Sequence, residues 1–398
     1  MKLLVEGALV DAEGVRQGQV LIQDGVIARV GDGLGRPDLA FGEGFLVFPG
    51  FGDLHVHLRE GQPHKETYQT GVEAALNGGV CFMLDMPNNP DPPVTAEQLE
   101  AKRARAGDWP VDLDFYAGVG PGTRPFHHRF YKAYVGPSIG PLFFHDDCDL
   151  EDTLQHYGGR RVTFHCEDPV MLREAAGAAE HEDRRPPEAE LKAVETVMQL
   201  GQKYGFQVHV AHLSVVGSLD LLDGAVSEVA PHHLYFDREN RHQAARNAFL
   251  KMNPPLRSRQ NRLALLEAFR QGRIDFLATD HAPHTVAEKQ SENPSGVPLL
   301  DTYGAFVAWL LHQGFTPEQL ARHCCHLPGQ FMDRNLGRIA EGYKGHLAVL
   351  NLKEPWTVQA EDCRTGCGWS PFEGETLPGR VELTVASGRV FRQGREIT

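Results

Sequence analysis

The chain has 398 residues, of which 41% are hydrophobic and 23% charged, so a well-packed core is feasible and global disorder is excluded. It carries 39 basic and 53 acidic side chains, a formal net charge of −14 with neutral histidines. This acidic balance, without any run of Lys or Arg, argues against a nucleic-acid partner. No apolar stretch is long enough for a membrane span, and the seven scattered cysteines are typical of reduced thiols in a cytoplasmic protein.

Both ends of the chain are predicted to be rich in short strands. Apolar and polar residues alternate there around turns that contain glycine, and neither end has the pattern of a long helix. Because chain termini often lie close together, we predict that residues 1–47 and 345–398 form one small β-sandwich-like domain. The predicted strands are Leu3–Val5, Gln19–Ile22, Val26–Val30, His346–Leu352, Val381–Ala386 and Arg389–Phe391.

Between residues 48 and 344 short apolar runs alternate with helical patterns, which is typical of β/α units around a parallel sheet. Eight predicted strands favour a TIM-type (β/α)8 barrel as the catalytic domain. A doubly wound open sheet is the alternative, but the glycine-rich turn that it often uses does not follow the first strand. The strands are Gly50–Leu54, Cys81–Met86, Val111–Val119, Phe130–Val135, Arg161–His165, Gln207–His212, Glu228–Phe236 and Ile274–Asp280. The helices are Lys65–Asn77, Thr95–Ala106, Glu188–Tyr204, Ser214–Leu222, Asn261–Gln271 and Leu299–Gln313.

Candidate metal ligands lie at the carboxyl ends of four of these strands. His55 and His57 are two residues apart in an extended segment, so both side chains point to the same side. His165, His212 and Asp280 end the fifth, sixth and eighth strands. Each one alone is explained by a buried structural histidine or a helix cap, but together, at the end where barrel enzymes place their catalytic groups, they indicate a metal site. The ligand types favour zinc, and their number favours two ions.

Four segments of the sequence resemble the dihydroorotases of the cyclic amidohydrolase superfamily. The resemblance covers essentially the whole chain and implies a β/α barrel with a composite β domain made from both ends. It also implies metal-dependent hydrolysis of a cyclic amide. The segments are Asp53–Arg59 (DLHVHLR), Met86–Pro90 (MPNNP), Lys251–Arg257 (KMNPPLR) and Thr279–His284 (TDHAPH).

The resemblance implies two zinc ions bridged by a carboxylated lysine on the fourth strand, and Lys132 matches that position. A surface lysine is the structural alternative, and Asp146 or Asp147 is the alternative bridging ligand. The implied ligands are His55, His57 and Asp280 for one ion, and His165 and His212 for the other.

The resemblance also assigns the substrate contacts. Arg59, Asn88 and His284 are implied to bind a substrate carboxylate, and Asn253 is a further candidate contact. Hydantoinase-like relatives, whose rings lack that carboxylate, do not usually carry an arginine at the position of Arg59. Allantoinase-like enzymes tend to have leucine where this chain has Asn88.

The implied reaction is the reversible cyclisation of N-carbamoyl-L-aspartate to L-dihydroorotate in de novo pyrimidine biosynthesis, with a metal-bridging hydroxide as nucleophile and Asp280 as general acid/base. The alternatives are another cyclic amidohydrolase, allantoinase-like or hydantoinase-like, and a catalytically silent homologue that acts as a structural subunit. The expected partners are a small-molecule substrate, with neither nucleic acid nor membrane; a homodimer and an association with aspartate carbamoyltransferase are the candidate assemblies. The loop Gly136–Gly140 is a candidate to close over the site.

Overall fold

The computed structural model describes residues 2–138 and 140–397, so Met1 and Thr398 of the predicted β domain and Ile139 of the Gly136–Gly140 loop lie outside the described residues. The strands are β1 (Lys2–Asp11), β2 (Gly14–Gln23), β3 (Val26–Gly31), β4 (Leu39–Ala40), β5 (Phe45–Pro49), β6 (Phe51–Val56), β7 (Val80–Asp85), β8 (Asp112–Phe115), β9 (Ala117–Val119), β10 (Phe130–Tyr134), β11 (Arg161–His165), β12 (Gln207–Val210), β13 (Val226–Val229), β14 (Phe276–Leu277), β15 (Leu347–Asn351), β16 (Trp356–Thr357), β17 (Thr376–Leu377), β18 (Arg380–Ala386), β19 (Arg389–Arg392) and β20 (Arg395–Glu396). The helices are α1 (Tyr68–Asn77), α2 (Ala96–Ala106), α3 (Asp147–Leu154), α4 (Pro169–Glu174), α5 (Pro187–Tyr204), α6 (Pro231–Tyr235), α7 (Arg259–Arg270), α8 (Val286–Ser291), α9 (Tyr303–His312), α10 (Pro317–Ala321) and α11 (Leu327–Met332).

A nine-stranded sheet joins the two ends of the chain. Its order is β20-β19-β18-β15-β5-β1-β2-β3, with β4 beside β1. The two ends meet where β5 pairs antiparallel with β15. Inward-facing side chains such as Val5 and Ile22 form a hydrophobic core of their own. The limits 1–47 plus 345–398 for this domain, and 48–344 for the barrel, stay our proposal.

Eight parallel strands form a closed barrel: β6, β7, β8 continued by β9, and β10 to β14. Most side chains on these strands are buried, as expected where helices cover a parallel sheet. The barrel closes between its last and first strands, where His281 pairs with Val56 and the amide of Thr279 donates to Asp53 Oδ1 at 3.0 Å. The predicted TIM-type (β/α)8 barrel with a small β domain from both chain ends is confirmed.

The predicted extent of the seventh barrel strand, Glu228–Phe236, is wrong. β13 ends at Val229, and α6 begins at Pro231. Proline has no N–H to donate and its fixed φ suits the first turn of a helix, so the apolar run after it is helical. The predicted helix Ser214–Leu222 is likewise a shorter 3-10 helix, Val216–Leu221. The correction places Glu228 near the end of its strand, where the barrel carries its polar side chains.

Between β15 and β18 the chain leaves the nine-stranded sheet and packs against the barrel. The Trp369 indole N–H donates to the carbonyl of His284 at 2.7 Å, and the hydroxyl of Thr365 donates to Glu66 at 2.5 Å. Trp369 is fully buried. This segment therefore holds the loop after the eighth barrel strand in place.

Two further findings concern the environment of the chain. None of the helices within residues 2–138 and 140–397 is both long and apolar enough to cross a membrane. All seven cysteines fall in these ranges, and each is a free thiol. The cytoplasmic location stays a prediction.

Candidate active site

The first group of predicted ligands meets where the barrel closes. His55 lies in β6, His57 directly follows it, and Asp280 lies three residues after β14. Asp280 Oδ1 is 3.3 Å from His55 Nε2 and 3.2 Å from His57 Nε2. One donor atom from each of the three side chains lies within 4.8 Å of the others, and all three residues are buried. This spacing suits three ligands around one cation.

The second group lies on the neighbouring strands. His165 ends β11, and His212 follows β12 by two residues. His165 Nδ1 faces His212 Nε2 at 3.0 Å. Two imidazole nitrogens this close either share one proton or both present lone pairs to a cation. The second arrangement makes them a pair of metal ligands.

The backbone is strained at three predicted site residues. Arg59, His212 and Asp280 have φ values of 53°, 35° and 50°, which side chains other than glycine rarely adopt. Such conformations cost free energy and persist where the surrounding structure imposes them, commonly at functional sites. All three residues lie just after the carboxyl ends of barrel strands, where the site is predicted.

In three of the four predicted ligand histidines, one ring nitrogen forms a hydrogen bond with a buried side-chain oxygen. This contact fixes the tautomer and directs the free lone pair toward a metal, as is usual for metal-binding histidines. The pairs are His55 Nδ1 with Glu228 Oε1, His57 Nδ1 with Asn88 Oδ1 at 2.6 Å, and His165 Nε2 with Glu167 Oε2 at 2.8 Å.

Glu228 is a site residue that the sequence reasoning missed. It contacts His55 on one side and lies 3.2 Å from His209 Nε2 on the other. Burial alone would raise the pKa of Glu228, but the two histidines hold it well below its usual range. The available signal was an acidic residue within an apolar barrel strand, Val226–Val229, which is costly to bury without partners.

Lys132 lies in the barrel interior, as predicted for the bridging ligand. It is fully buried, and within the described part of the chain its Nζ has no hydrogen-bond partner. Burial lowers the pKa of Lys132 to about 8. The alternative bridging residues lie elsewhere, because Asp146 caps α3 and Asp147 begins it, both exposed to solvent. Of the three candidates, only Lys132 fits a bridging position.

These residues match a known family. Residues 46–391 fit the model of the Amidohydrolase family. The chain belongs to the amidohydrolase family. The dihydroorotase of Thermococcus kodakarensis is 31% identical over 100% of this chain and 96% of that one, and the dihydroorotase of Halobacterium salinarum is 34% identical over 83% and 82%. The resemblance to dihydroorotases is confirmed.

Solved structures agree on the fold of this amidohydrolase. The L-hydantoinase (dihydropyrimidinase) of Arthrobacter aurescens superposes with a TM-score of 0.91, covering 99% of this chain and 97% of that one at 23% identity. The dihydropyrimidinase of Brevibacillus agri gives 0.87, with 100% and 96% covered at 21% identity. At these identities the likeness concerns the fold alone.

A small cavity opens beside the predicted metal ligands of the amidohydrolase site. Three of the four predicted substrate contacts, Arg59, Asn88 and Asn253, line it. Asn253 Oδ1 is buried and has no hydrogen-bond partner among residues 2–138 and 140–397. The cavity wall therefore brings together the guanidinium group of Arg59, the side-chain amides of Asn88 and Asn253, and the predicted metal ligands.

Arg59 is a buried cation without an ion-pair partner among residues 2–138 and 140–397. Its Nε donates to the carbonyl of Pro283 at 3.1 Å, and its Nη2 lies 3.2 Å from His284 Nε2. Arg59 makes no ion pair with any carboxylate in the described ranges, although it is only 3% exposed. Burying a charge without an ion-pair partner costs free energy. Arg59 is therefore suited to bind an anionic group of a bound molecule.

His284, the fourth predicted substrate contact, lies behind Arg59 and does not line the cavity. Its Nε2 is 3.1 Å from the carbonyl of Ser295, whose backbone lines the cavity wall. Burial and the nearby Arg59 lower the pKa of His284 to about 2, so the ring is neutral at physiological pH. Its predicted contact with a substrate carboxylate stays a prediction.

Proposed function

We propose that this chain is a zinc-dependent dihydroorotase, which interconverts N-carbamoyl-L-aspartate and L-dihydroorotate in pyrimidine biosynthesis. The observation that carries this proposal is that Arg59, on the wall of the cavity beside the proposed metal ligands, is buried and makes no ion pair within the described part of the chain. The carboxylate of L-dihydroorotate supplies the missing anion. A hydantoin or dihydropyrimidine ring without a carboxylate would leave the guanidinium unpaired.

The residues present fit two divalent cations, and zinc suits their chemistry. His55, His57 and Asp280 would hold one ion and His165 with His212 the other. Lys132, carboxylated on Nζ, would lie between them; its buried, unpartnered amine supports this. When bound, the ions polarise the ring carbonyl and lower the pKa of water.

The protein residues orient the substrate and move a proton. Arg59 and Asn88 hold the carboxylate, so that the scissile amide is turned toward the metal ligands. A guanidinium offers two parallel N–H donors to a carboxylate, which fixes direction as well as position. Asp280 is the proposed general acid/base: in hydrolysis it accepts a proton from the attacking water and returns it to the ring nitrogen.

The test compares two substrates that differ by the carboxylate, L-dihydroorotate and dihydrouracil. Wild-type protein loaded with zinc is expected to turn over the first and to lose that activity with a chelator. Arg59→Met is expected to lower kcat/KM for L-dihydroorotate by about a hundredfold or more, because one partner of a buried charge pair is lost. Arg129→Met, an exposed arginine paired with Asp333, is the matched control.

The outcomes separate the candidate activities. Turnover of dihydrouracil in preference to L-dihydroorotate by the wild type would assign a hydantoinase-like activity instead. No turnover of either compound with zinc bound would favour another cyclic amidohydrolase, such as an allantoinase-like enzyme. A chain that neither holds metal nor turns over either compound would favour the silent homologue. The homodimer and the association with aspartate carbamoyltransferase stay predictions, which size-exclusion chromatography with and without that enzyme tests directly.

A further inference from the structure

Arg185 connects two walls of the site through one guanidinium group. It lies two residues before α5, and its side chain is 13% exposed. Its Nε is 3.0 Å from Glu167 Oε1 and 2.9 Å from Glu167 Oε2. Its Nη2 is 2.5 Å from Glu167 Oε2 and 2.9 Å from the carbonyl of Pro137. These four contacts, to Glu167 and to Pro137, are more than a simple ion pair at the protein surface makes.

The Glu167 contact leads to a metal ligand. Glu167 is fully buried and accepts the Nε2 proton of His165 at 2.8 Å. Arg185 binds both oxygens of this carboxylate, so Glu167 is held in the position that orients the His165 ring. With Nε2 directed at Glu167, His165 Nδ1 faces His212 Nε2 at 3.0 Å.

The Pro137 contact leads to the substrate cavity. Ser138, the next residue, lines that cavity. At the base of the loop, a Cβ on Gly136 would lie 2.3 Å from the carbonyl oxygen of Glu167, so only glycine allows this close approach. The loop backbone therefore packs closely against Glu167, and Arg185 bonds the loop to the Glu167 side chain.

The backbone of Arg185 is bonded to Arg257, which lies near the cavity-lining residue Asn253 in the sequence. Arg257 Nη1 donates to the carbonyl of Arg185 at 2.6 Å, and Arg257 Nε donates to Ser214 Oγ at 3.0 Å. Arg257 ends the segment that carries Asn253, and Ser214 lies two residues after His212. The position of Arg185 is thus set by elements that surround the site.

We propose that Arg185 is a positioning residue, which couples the orientation of the metal ligand His165 to the position of the cavity wall at Ser138. One planar, multidentate group makes both contacts, so the metal position and the wall keep a fixed distance. Lysine cannot replace it, because a single ammonium cannot bind both oxygens of Glu167 and also reach the Pro137 carbonyl. A purely structural ion pair would affect only the stability of the fold.

The experiment measures two quantities in the full-length protein. Zinc affinity is determined by competition with a chromogenic chelator, and KM for L-dihydroorotate is determined at saturating zinc. Arg185→Met is expected to weaken zinc binding about tenfold and to raise KM about tenfold. Arg185→Lys keeps the charge beside Glu167, so it is expected to restore zinc affinity to within about threefold of wild type while KM stays raised. Arg184→Met, an adjacent exposed arginine, is the matched control.

Glu167→Gln separates the two contacts further. It is expected to weaken zinc binding about tenfold and to leave KM at saturating zinc within about twofold of wild type. If Arg185→Met does not fold, as judged by circular dichroism, Arg185→Lys and Glu167→Gln decide the question. Zinc affinity and KM that match those of Arg184→Met in every folded variant overturn the proposal.

The KM readout rests on the proposed function, whereas the zinc readout does not. If the wild type does not turn over L-dihydroorotate, the proposed function fails, and the zinc affinities still decide whether Arg185 acts on His165. Normal turnover with unchanged zinc affinity in Arg185→Met would overturn the inference and leave the proposed function intact.

Discussion

The two groups of histidines in the site keep their orientation by different means. His55 is held by Glu228, a buried residue within β13, and His57 by Asn88, a buried residue three positions after β7. His165 is held by Glu167, whose charge is balanced by the partly exposed Arg185. His55 is thus supported by the barrel sheet itself, and His165 by a contact that extends into loops.

The two supports differ in how they connect to the loops around the site. Glu228 lies within β13, so the orientation of His55 depends on the sheet. The side at His165 shares Arg185 with the loop at Pro137, so movement of that loop and orientation of the ligand are linked. Four predictions test the contrast.

The largest effect is expected on the barrel-supported side, from Asp280→Asn. This change removes a proposed general acid/base and alters a metal ligand, so we expect kcat for L-dihydroorotate to fall about a thousandfold. The assay is run at a zinc concentration that gives full occupancy. Asp183→Asn, at an exposed ion pair with Arg238, is the control. A kcat within about tenfold of wild type would exclude Asp280 as the proton carrier.

The second prediction concerns Lys132, the proposed bridging ligand, which is buried in the barrel. Burial lowers the pKa of Lys132 to about 8, so the amine is about 1% neutral at pH 6 and about half neutral at pH 8. Only the neutral amine reacts with carbon dioxide. At constant dissolved carbon dioxide, the initial rate of carbamate formation in metal-free protein supplied with zinc should rise about fiftyfold between these pH values. Carbon-13 NMR with labelled carbon dioxide measures the carbamate, and Lys132→Met gives the background.

A rate of carbamate formation that is the same at pH 6 and pH 8 would contradict this prediction. A labelled signal of equal size in Lys132→Met would show that another residue is modified.

The third prediction compares the two supporting carboxylates directly. Glu228→Gln and Glu167→Gln are each expected to weaken zinc binding about tenfold. Adding Arg185→Met to Glu228→Gln should multiply the two effects, because the residues share no partner. Adding it to Glu167→Gln should give little further loss, because both changes act on His165. If Arg185→Met were equally non-additive with Glu228→Gln and with Glu167→Gln in their effects on zinc affinity, the supports of His55 and His165 would not differ as described.

The smallest effect is expected from Asn88→Ala. This change removes the oxygen that accepts the His57 Nδ1 proton, a single hydrogen bond worth about 1 kcal/mol, or about fivefold in zinc affinity. Chelator competition measures it, with Asn89→Ala as the neighbouring control. A loss as large as that of Glu228→Gln would mean that the amide contributes as much as the carboxylate.

Much of the fold could be predicted because it depends on local patterns. Alternating apolar runs and helical segments indicated the barrel, and hairpin patterns at both ends indicated the β domain. The seventh strand was misjudged because an apolar run such as Pro231–Phe236 has the same composition in a buried helix as in a strand. Here Pro231 was the informative residue.

The candidate ligands could be named from the sequence because they lie at strand ends, and parallel strands bring their carboxyl ends together. Glu228 began the predicted seventh strand, and Glu167 followed the predicted fifth strand by two residues. Their pairing with His55 and His165 nevertheless depends on which ring nitrogen each carboxylate reaches. Arg185 gave no sequence signal at all. Its partners, Glu167 and Pro137, are 18 and 48 residues away along the chain.

The sequence by itself determined the fold class, the residue types of the metal site and the presence of an arginine near it, because spacing and strand ends are local properties. Only the tertiary structure decided that Arg59 is buried without an ion-pair partner among the described residues. It also decided that Lys132, and neither Asp146 nor Asp147, lies in the barrel, and that Arg185 contacts both Glu167 and the loop at Pro137. These facts depend on burial and on contacts between distant segments, which folding creates and the order of residues does not display.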